Sequence, residues 1–490
     1  MPRSAIVLGA GMVGVSAALH LRRRGYDVVL LDRQGPGEGA SFGNGGLIQR
    51  EAVYPHPFPR ALAELRRIAG NRAIDVAYHP LALPGFVSPL LQYWWRSEPR
   101  RYLHAVQAHA RLIVTCVDEH LALAAGTEAM ALLRPIGWMR VFSEPRLFEA
   151  ALAQAEAARR DYGVNFAGLD NQTLAAAEPH LLVERAGAIH WTDPLSVSDP
   201  HALTLAYARM FVEDGGTLAI GDAATLQRVA SGWRAQTTAG PVEAAEVVVA
   251  LGAASVQLTR RFGYAPPLFG KRGYHMHFGL RGNATLNRPV LDAESGFLLA
   301  PMRAGIRLTT GAEFARPDAP PSPVQLERAE PIARRLLPLA DRLDATPWMG
   351  VRPCTPDMLP IICRMPGQDG AWCAFGHAHQ GLTLGPTTGR LLAGMMLGEA
   401  PFVAPEPYRP SRFSRGSARR FGKLAAEGSD GSAWRLTCSR QADRAVRRAL
   451  LKTLAVATLA WPRAASAQGE ARPIRLIVPA SRAARRASSC

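Results

Sequence analysis

Residues 4–32 constrain this chain more than any other stretch. S-A-I-V-L reads as a short buried strand, G-A-G-M-V-G as a turn, and V-S-A-A-L-H-L-R-R-R as an amphipathic helix that Gly25 ends. Y-D-V-V-L-L-D is the next strand and closes on Asp32. Gly9 permits the tight turn, and Gly11 lets a diphosphate reach backbone N–H groups at the helix N-terminus. Gly14 lets helix and strand pack closely, and Asp32, 18 residues further on, accepts hydrogen bonds from a ribose. The glycine spacing alone is weak evidence. Strand, helix and acid together predict a Rossmann-type dinucleotide-binding fold.

Three later segments decide which dinucleotide. G-A-S-F-G-N-G-G (39–46), close behind Asp32 and Arg33, can bring its backbone against a diphosphate and a flavin edge through Ser41, Asn44 and Gly45. V-V-V-A-L-G-A-A-S (247–255) reads as a buried strand running into Gly252. F-G-H-A-H-Q-G-L-T-L-G-P-T-T-G-R (375–390) is a glycine turn that starts a helix, with Gly376, Gly381, Leu382 and Thr383 in the turn. Distant segments gathered on one extended cofactor fit FAD better than NAD.

On these segments the chain resembles the D-amino-acid oxidase superfamily of flavoproteins, and most of all its bacterial D-amino-acid dehydrogenase and glycine oxidase branch. K-R-G-Y (271–274) and W-M-G-V-R-P-C-T-P-D-M-L-P-I-I (348–362) extend the likeness, which runs in order over about residues 4–400. The resemblance makes Arg352 the anchor for a substrate carboxylate, and a planar guanidinium suits that task through paired hydrogen bonds. It places Tyr274 near the substrate and His379 on the flavin's substrate side. Phe297 stands where a substrate-contacting tyrosine is expected, which points to a more apolar pocket. Cys354 lies closer to the Pro-Asp pair than the flavin-linking cysteine of related amine oxidases, so noncovalent FAD is expected. The pairs His275/His277 and His377/His379 have metal-like i, i+2 spacing, but no acid or cysteine joins them in sequence and no metal is expected.

The implied architecture is α/β (α+β overall). An FAD-binding domain (1–60, 143–260 and 346–400) interleaves with an antiparallel-sheet substrate domain (61–142 and 261–345). The reaction the resemblance implies is oxidative deamination of a small amino acid, a D-amino acid first among them, to the 2-oxo acid and ammonia by hydride transfer to flavin N5. Arg352, Tyr274 and His379 are the catalytic candidates. The alternatives are oxidation of secondary amines such as sarcosine, proline or an opine, and a flavin-binding subunit without chemistry. The electron acceptor, whether quinone, electron-transfer protein or oxygen, stays open.

Charge bears on partners. Residues 411–490 hold 17 Lys and Arg against 4 Asp and Glu, so they carry +13 of the chain's +17 and leave +4 on residues 1–410. The body is nearly balanced, and no nucleic-acid partner is expected. Scattered single cysteines and the absence of an N-terminal signal suggest a cytoplasmic protein. Residues 444–468 have the layout of a secretory signal at the wrong end of the chain. The R-P-I-R-L-I-V-P that follows resembles the start of tripartite-tricarboxylate-type solute-binding receptors. The segment 411–490 is therefore expected to be disordered or adventitious, the alternative being a basic amphipathic contact with the inner membrane face.

Overall fold

The computed structural model describes residues 3–413 apart from residue 317. An eight-stranded sheet forms around five parallel neighbours, in the order Thr217–Val229, Asp27–Asp32, Ser4–Leu8, Glu246–Val249 and Ala371–Phe375. The inner strands are short apolar runs because helices cover the sheet, and Ser4–Leu8 buries every residue after its first. Two hairpin strands, Gly232–Thr237 and Gly240–Ala244, extend one edge, and Ile361–Arg364 closes the other antiparallel to Ala371–Phe375. The helix Met12–Arg22 lies against the helix Gly385–Leu397. Their close approach depends on Gly389, where a Cβ would stand 2.6 Å from the Ser16 carbonyl oxygen.

A second, largely antiparallel sheet has Phe269–Leu280 as its hub, flanked by Ala312–Phe314, Gly305–Thr309, Leu339–Arg342 and Trp348–Cys354. It runs on through Leu298–Met302, Val290–Asp292, Trp138–Phe142 and Gly187–Trp191 to Phe166–Leu169. Three of these strands depart from the domain boundaries expected from sequence. Phe166–Leu169, Gly187–Trp191 and Trp348–Cys354 join the second sheet, although 143–260 and 346–400 were assigned to the nucleotide-binding half. Which sheet a strand joins is set by long-range pairing, and local pattern carries no trace of it.

The C-terminal boundary also moves. Ser411–Phe413 were expected to begin a disordered tail, yet Arg412 is buried and bonded to Asp357 at 2.9 Å, and Phe413 packs on the apolar core of the first sheet. The signal-like segment 444–468 and the rest of the expected tail from residue 414 onward lie outside the described residues. Among the described residues no helix is long and apolar enough to cross a membrane.

Candidate active site

A cavity of about 1910 Å³ is lined from both large sheets. That is roughly twice the upper end of ordinary small-molecule pockets, room enough for a dinucleotide and a substrate together. Gly9, Gly11, Asp32, Arg33, Ser41, Asn44, Gly45 and Gly252 line its nucleotide end. Gly9 sits at φ +104°, and a Cβ there would lie 2.6 Å from the Ala250 carbonyl oxygen. A Cβ on Gly11 would meet only Ser41 Oγ, at 3.5 Å, so that side stays open for a ligand. The helix beginning after Gly11 has no side-chain cap and no acid in its first turn, which leaves its positive end to the cavity. Met12 N donates to Ser41 Oγ at 3.0 Å, and Ala10 N holds Asp32 Oδ2 at 2.7 Å beside the glycine turn. These residues fit an FAD diphosphate and ribose.

Three expected cofactor residues do not line the cavity. Gly14 works through packing, since a Cβ there would lie 1.8 Å from the Gly9 carbonyl oxygen. Gly376 is a turn residue at φ +84°. Thr383 Oγ1 donates to the Leu47 carbonyl (3.2 Å) and accepts from Gln49 N (3.3 Å), tying the 39–49 loop to the C-terminal turn. Gly381 and Leu382 do border the cavity.

At the other end, register organises the site. Phe269 pairs with Cys354, Lys271 with Arg352, Gly273 with Gly350, and His275 with Trp348. Directly opposed residues share a face of the sheet. The Arg352 guanidinium folds across Gly273, where a Cβ would lie 2.4 to 2.7 Å from its terminal atoms. Backbone carbonyls of Gly311 (2.5 Å) and Thr310 (3.1 Å) hold it there. No carboxylate among the described residues lies within ion-pair distance of it, and desolvation lowers its pKa. Cys354 is a buried free thiol whose pKa burial raises.

Tyr274 borders the cavity, but its hydroxyl is engaged on the other face of the sheet, donating to Glu313 Oε2 (2.7 Å) and accepting from the Ser322 N–H (2.9 Å). The hydroxyl is thus spent within the sheet's own packing. Phe297 is fully buried in the apolar core while its neighbours Gly296 and Leu298 border the cavity, so it does not set pocket polarity. Lys271 and Arg140 join Arg352 as cations on the cavity wall.

His379 borders the cavity with its ring 4.9 Å from that of His56. A hydrogen-bond chain reaches it from Glu51. Glu51 Oε1 accepts from Gln49 Nε2 (3.0 Å), Gln49 Oε1 from Gln380 Nε2 (3.2 Å), and Gln380 Nε2 lies 2.9 Å from His379 Nε2. This polarity makes His379 Nε2 an acceptor and puts its proton on Nδ1. Desolvation first, then His56 and Arg352, hold the His379 pKa well below the ordinary range. His56 exposes area, but that area borders the cavity; desolvation, then Lys271, Arg140 and Arg352, bring it to about 4. Burial pushes Glu51 up to about 7.

The structure adds an acid to one histidine pair: His275, His277 and Asp344 come together. Arg307 Nε donates to His277 Nε2 at 3.0 Å while His277 Nδ1 meets Asp344 at 2.9 Å, so both ring nitrogens are engaged. A guanidinium at that distance opposes a cation there.

Lys271, Arg140, His56, Gln49 and Glu51 carried no assignment from sequence. Lys271 alone had a signal, its place in the K-R-G-Y segment, and its pairing with Arg352 required the register.

Known proteins share both the sequence pattern and the fold. The family described as FAD dependent oxidoreductase matches residues 4–395. A D-amino-acid oxidase of Bradyrhizobium diazoefficiens is 28% identical over 84% of this chain and 99% of its own length. A D-amino acid dehydrogenase of Cereibacter sphaeroides is 30% identical over 81% of this chain and 92% of its own. The glycine oxidase of Geobacillus kaustophilus shares the fold, with a TM-score of 0.63 and 22% identity over 84% of this chain and all of its own.

Proposed function

From the premise that this chain belongs to the family of FAD-dependent oxidoreductases, we propose that it oxidises the Cα–N bond of a small D-amino acid to give the 2-oxo acid and ammonia. The observation that carries this reading is Arg352, a desolvated guanidinium on a cavity wall with no carboxylate partner among the described residues. Burying such a charge without an anion is costly, and a substrate carboxylate would supply the anion. The relatives named for D-amino-acid oxidation support the D configuration.

FAD, when bound, supplies the two-electron acceptor. The chain's own part is to grip the carboxylate at Arg352, exclude water and orient Cα. Positioning and desolvation then carry most of the rate gain, and loss of the ammonium proton completes the substrate's activation. His379, neutral on the cavity wall, is a polar contact for the substrate that adds no charge. Noncovalent FAD is part of the proposal, because burial raises the Cys354 pKa and so disfavours the thiolate that a covalent link would need.

Arg352 provides the test. Arg352→Ala should lower kcat/KM for the acid substrate by roughly two to four powers of ten, the worth of two charge-assisted hydrogen bonds. Arg352→Lys should fall between alanine and wild type, and both variants should keep FAD. Unchanged kcat and KM in Arg352→Ala would remove the carboxylate anchor and turn the reading towards simple amines.

A further inference from the structure

Lys271 lies directly across the strand pair from Arg352 and borders the same cavity. Its ammonium sits among aromatic rings, 4.8 Å from the centroid of Tyr93, 5.7 Å from Phe269 and 5.8 Å from Phe314. Among the described residues it has neither an ion pair nor a hydrogen bond. Attraction to ring faces offsets little of the cost of taking an ammonium out of water. The wall therefore holds two desolvated cations and no anion for either.

Their heads lean apart. The guanidinium of Arg352 lies over Gly273, two residues after Lys271, whereas the ammonium of Lys271 turns towards Phe269, two residues before it. Those two landmarks are four residues apart along the strand, so the heads are offset along it. One carboxylate shared by both heads suits this divergence poorly; two carboxylates on one ligand suit it well.

We propose that Lys271 binds a second carboxylate, so that the preferred substrate is an amino dicarboxylate held between Lys271 and Arg352. The inference rests on the amino-acid oxidation proposed above and names its substrate class. The same pair of carboxylates occurs in an acidic D-amino acid, whose oxidation releases ammonia, and in an imino diacid, whose oxidation releases a primary amino acid instead. Arg140, a third cation on the cavity wall with its Nε unbonded, adds to the positive potential a dianion would meet.

Anaerobic flavin bleaching by the holoenzyme tests it with matched pairs: D-glutamate against D-glutamine, and iminodiacetate against N-methylglycine. In at least one pair the dianion should be favoured tenfold or more in kcat/KM. Lys271→Met should cut that ratio by roughly ten- to a hundredfold, the loss of one charge-assisted contact. Lys271→Arg should restore most of it, and FAD content and Tm report that each variant is folded. A wild-type ratio near one in both pairs overturns the proposal, as does a ratio that survives Lys271→Met. Bleaching by none of the four compounds, or by D-alanine, would instead overturn the amino-acid oxidation on which it rests.

Discussion

Glu51 is a carboxylate whose surroundings were set by folding alone. In the segment L-I-Q-R-E-A-V it reads as an ordinary surface acid, yet it is buried with Oε2 unbonded. Its pKa rises from an ordinary 4.5 to about 7, mainly through desolvation. Between those values the folded chain keeps a proton that the unfolded chain has lost, so this group makes stability fall as pH rises. The loss over that window is about 3 kcal/mol. Glu51→Gln should flatten the decline, and its Tm should overtake that of wild type by pH 8; parallel Tm profiles from pH 5 to 8 would deny the buried ionisation. Gly273 makes a second residue-scale test. Gly273→Ala puts a methyl into the Arg352 guanidinium and should raise KM for a carboxylate substrate, with kcat/KM down roughly ten- to a hundredfold and FAD content unchanged. An equal loss with the substrate's neutral amide would show that the effect is not on the carboxylate.

Among elements, the strand–turn–helix of residues 4–32 was legible because each of its requirements is local: an apolar run, glycines at fixed offsets, an acid at the next strand's end. The second and third of these glycines nevertheless do different work, and variants should separate them. A Cβ on Gly14 strikes the Gly9 carbonyl at 1.8 Å, so Gly14→Ala should lower Tm and empty the FAD site together. A bulky residue at Gly11 meets almost nothing in the protein, so Gly11→Val should abolish FAD binding while the apoprotein's Tm stays close to that of wild-type apoprotein. Equal Tm losses would contradict this division. Tyr274 and Phe297 were not legible in the same way. A one-residue step in an extended strand changes its face, and only pairing with Trp348–Cys354 and the neighbouring strands decides which face meets the cavity. The aligned motif located the strand correctly and left the direction of each side chain undetermined.

For the whole molecule, the question is where the folded body ends. Composition changes at Pro410, and sequence reading drew the line there. The last described turn contradicts it: Arg412 reaches Asp357 through Nε (2.9 Å) and bonds the Leu359 carbonyl at 2.8 Å, while Arg96 donates to the Arg412 carbonyl at 2.6 Å. Asp357 belongs to the T-P-D-M-L-P stretch that follows Arg352, so this turn braces the loop behind the substrate anchor. A single arginine in a basic run gives no sign that its partner is an aspartate more than fifty residues earlier. Two truncations should therefore differ. Ending the chain after Phe413 keeps every contact described here, and FAD content, Tm and turnover should match the full chain. Ending it after Pro410 removes Arg412 from the Asp357 carboxylate and leaves Arg96, at 3.5 Å, as its cation. Breaking a buried pair in that way costs about 3–5 kcal/mol. The shorter protein should show a lower Tm and a raised KM for the carboxylate substrate, with FAD still bound in the fraction that folds. Indistinguishable melting and kinetics for the two truncations would mean that the Arg412–Asp357 pair contributes nothing to the body, and would return the boundary to Pro410.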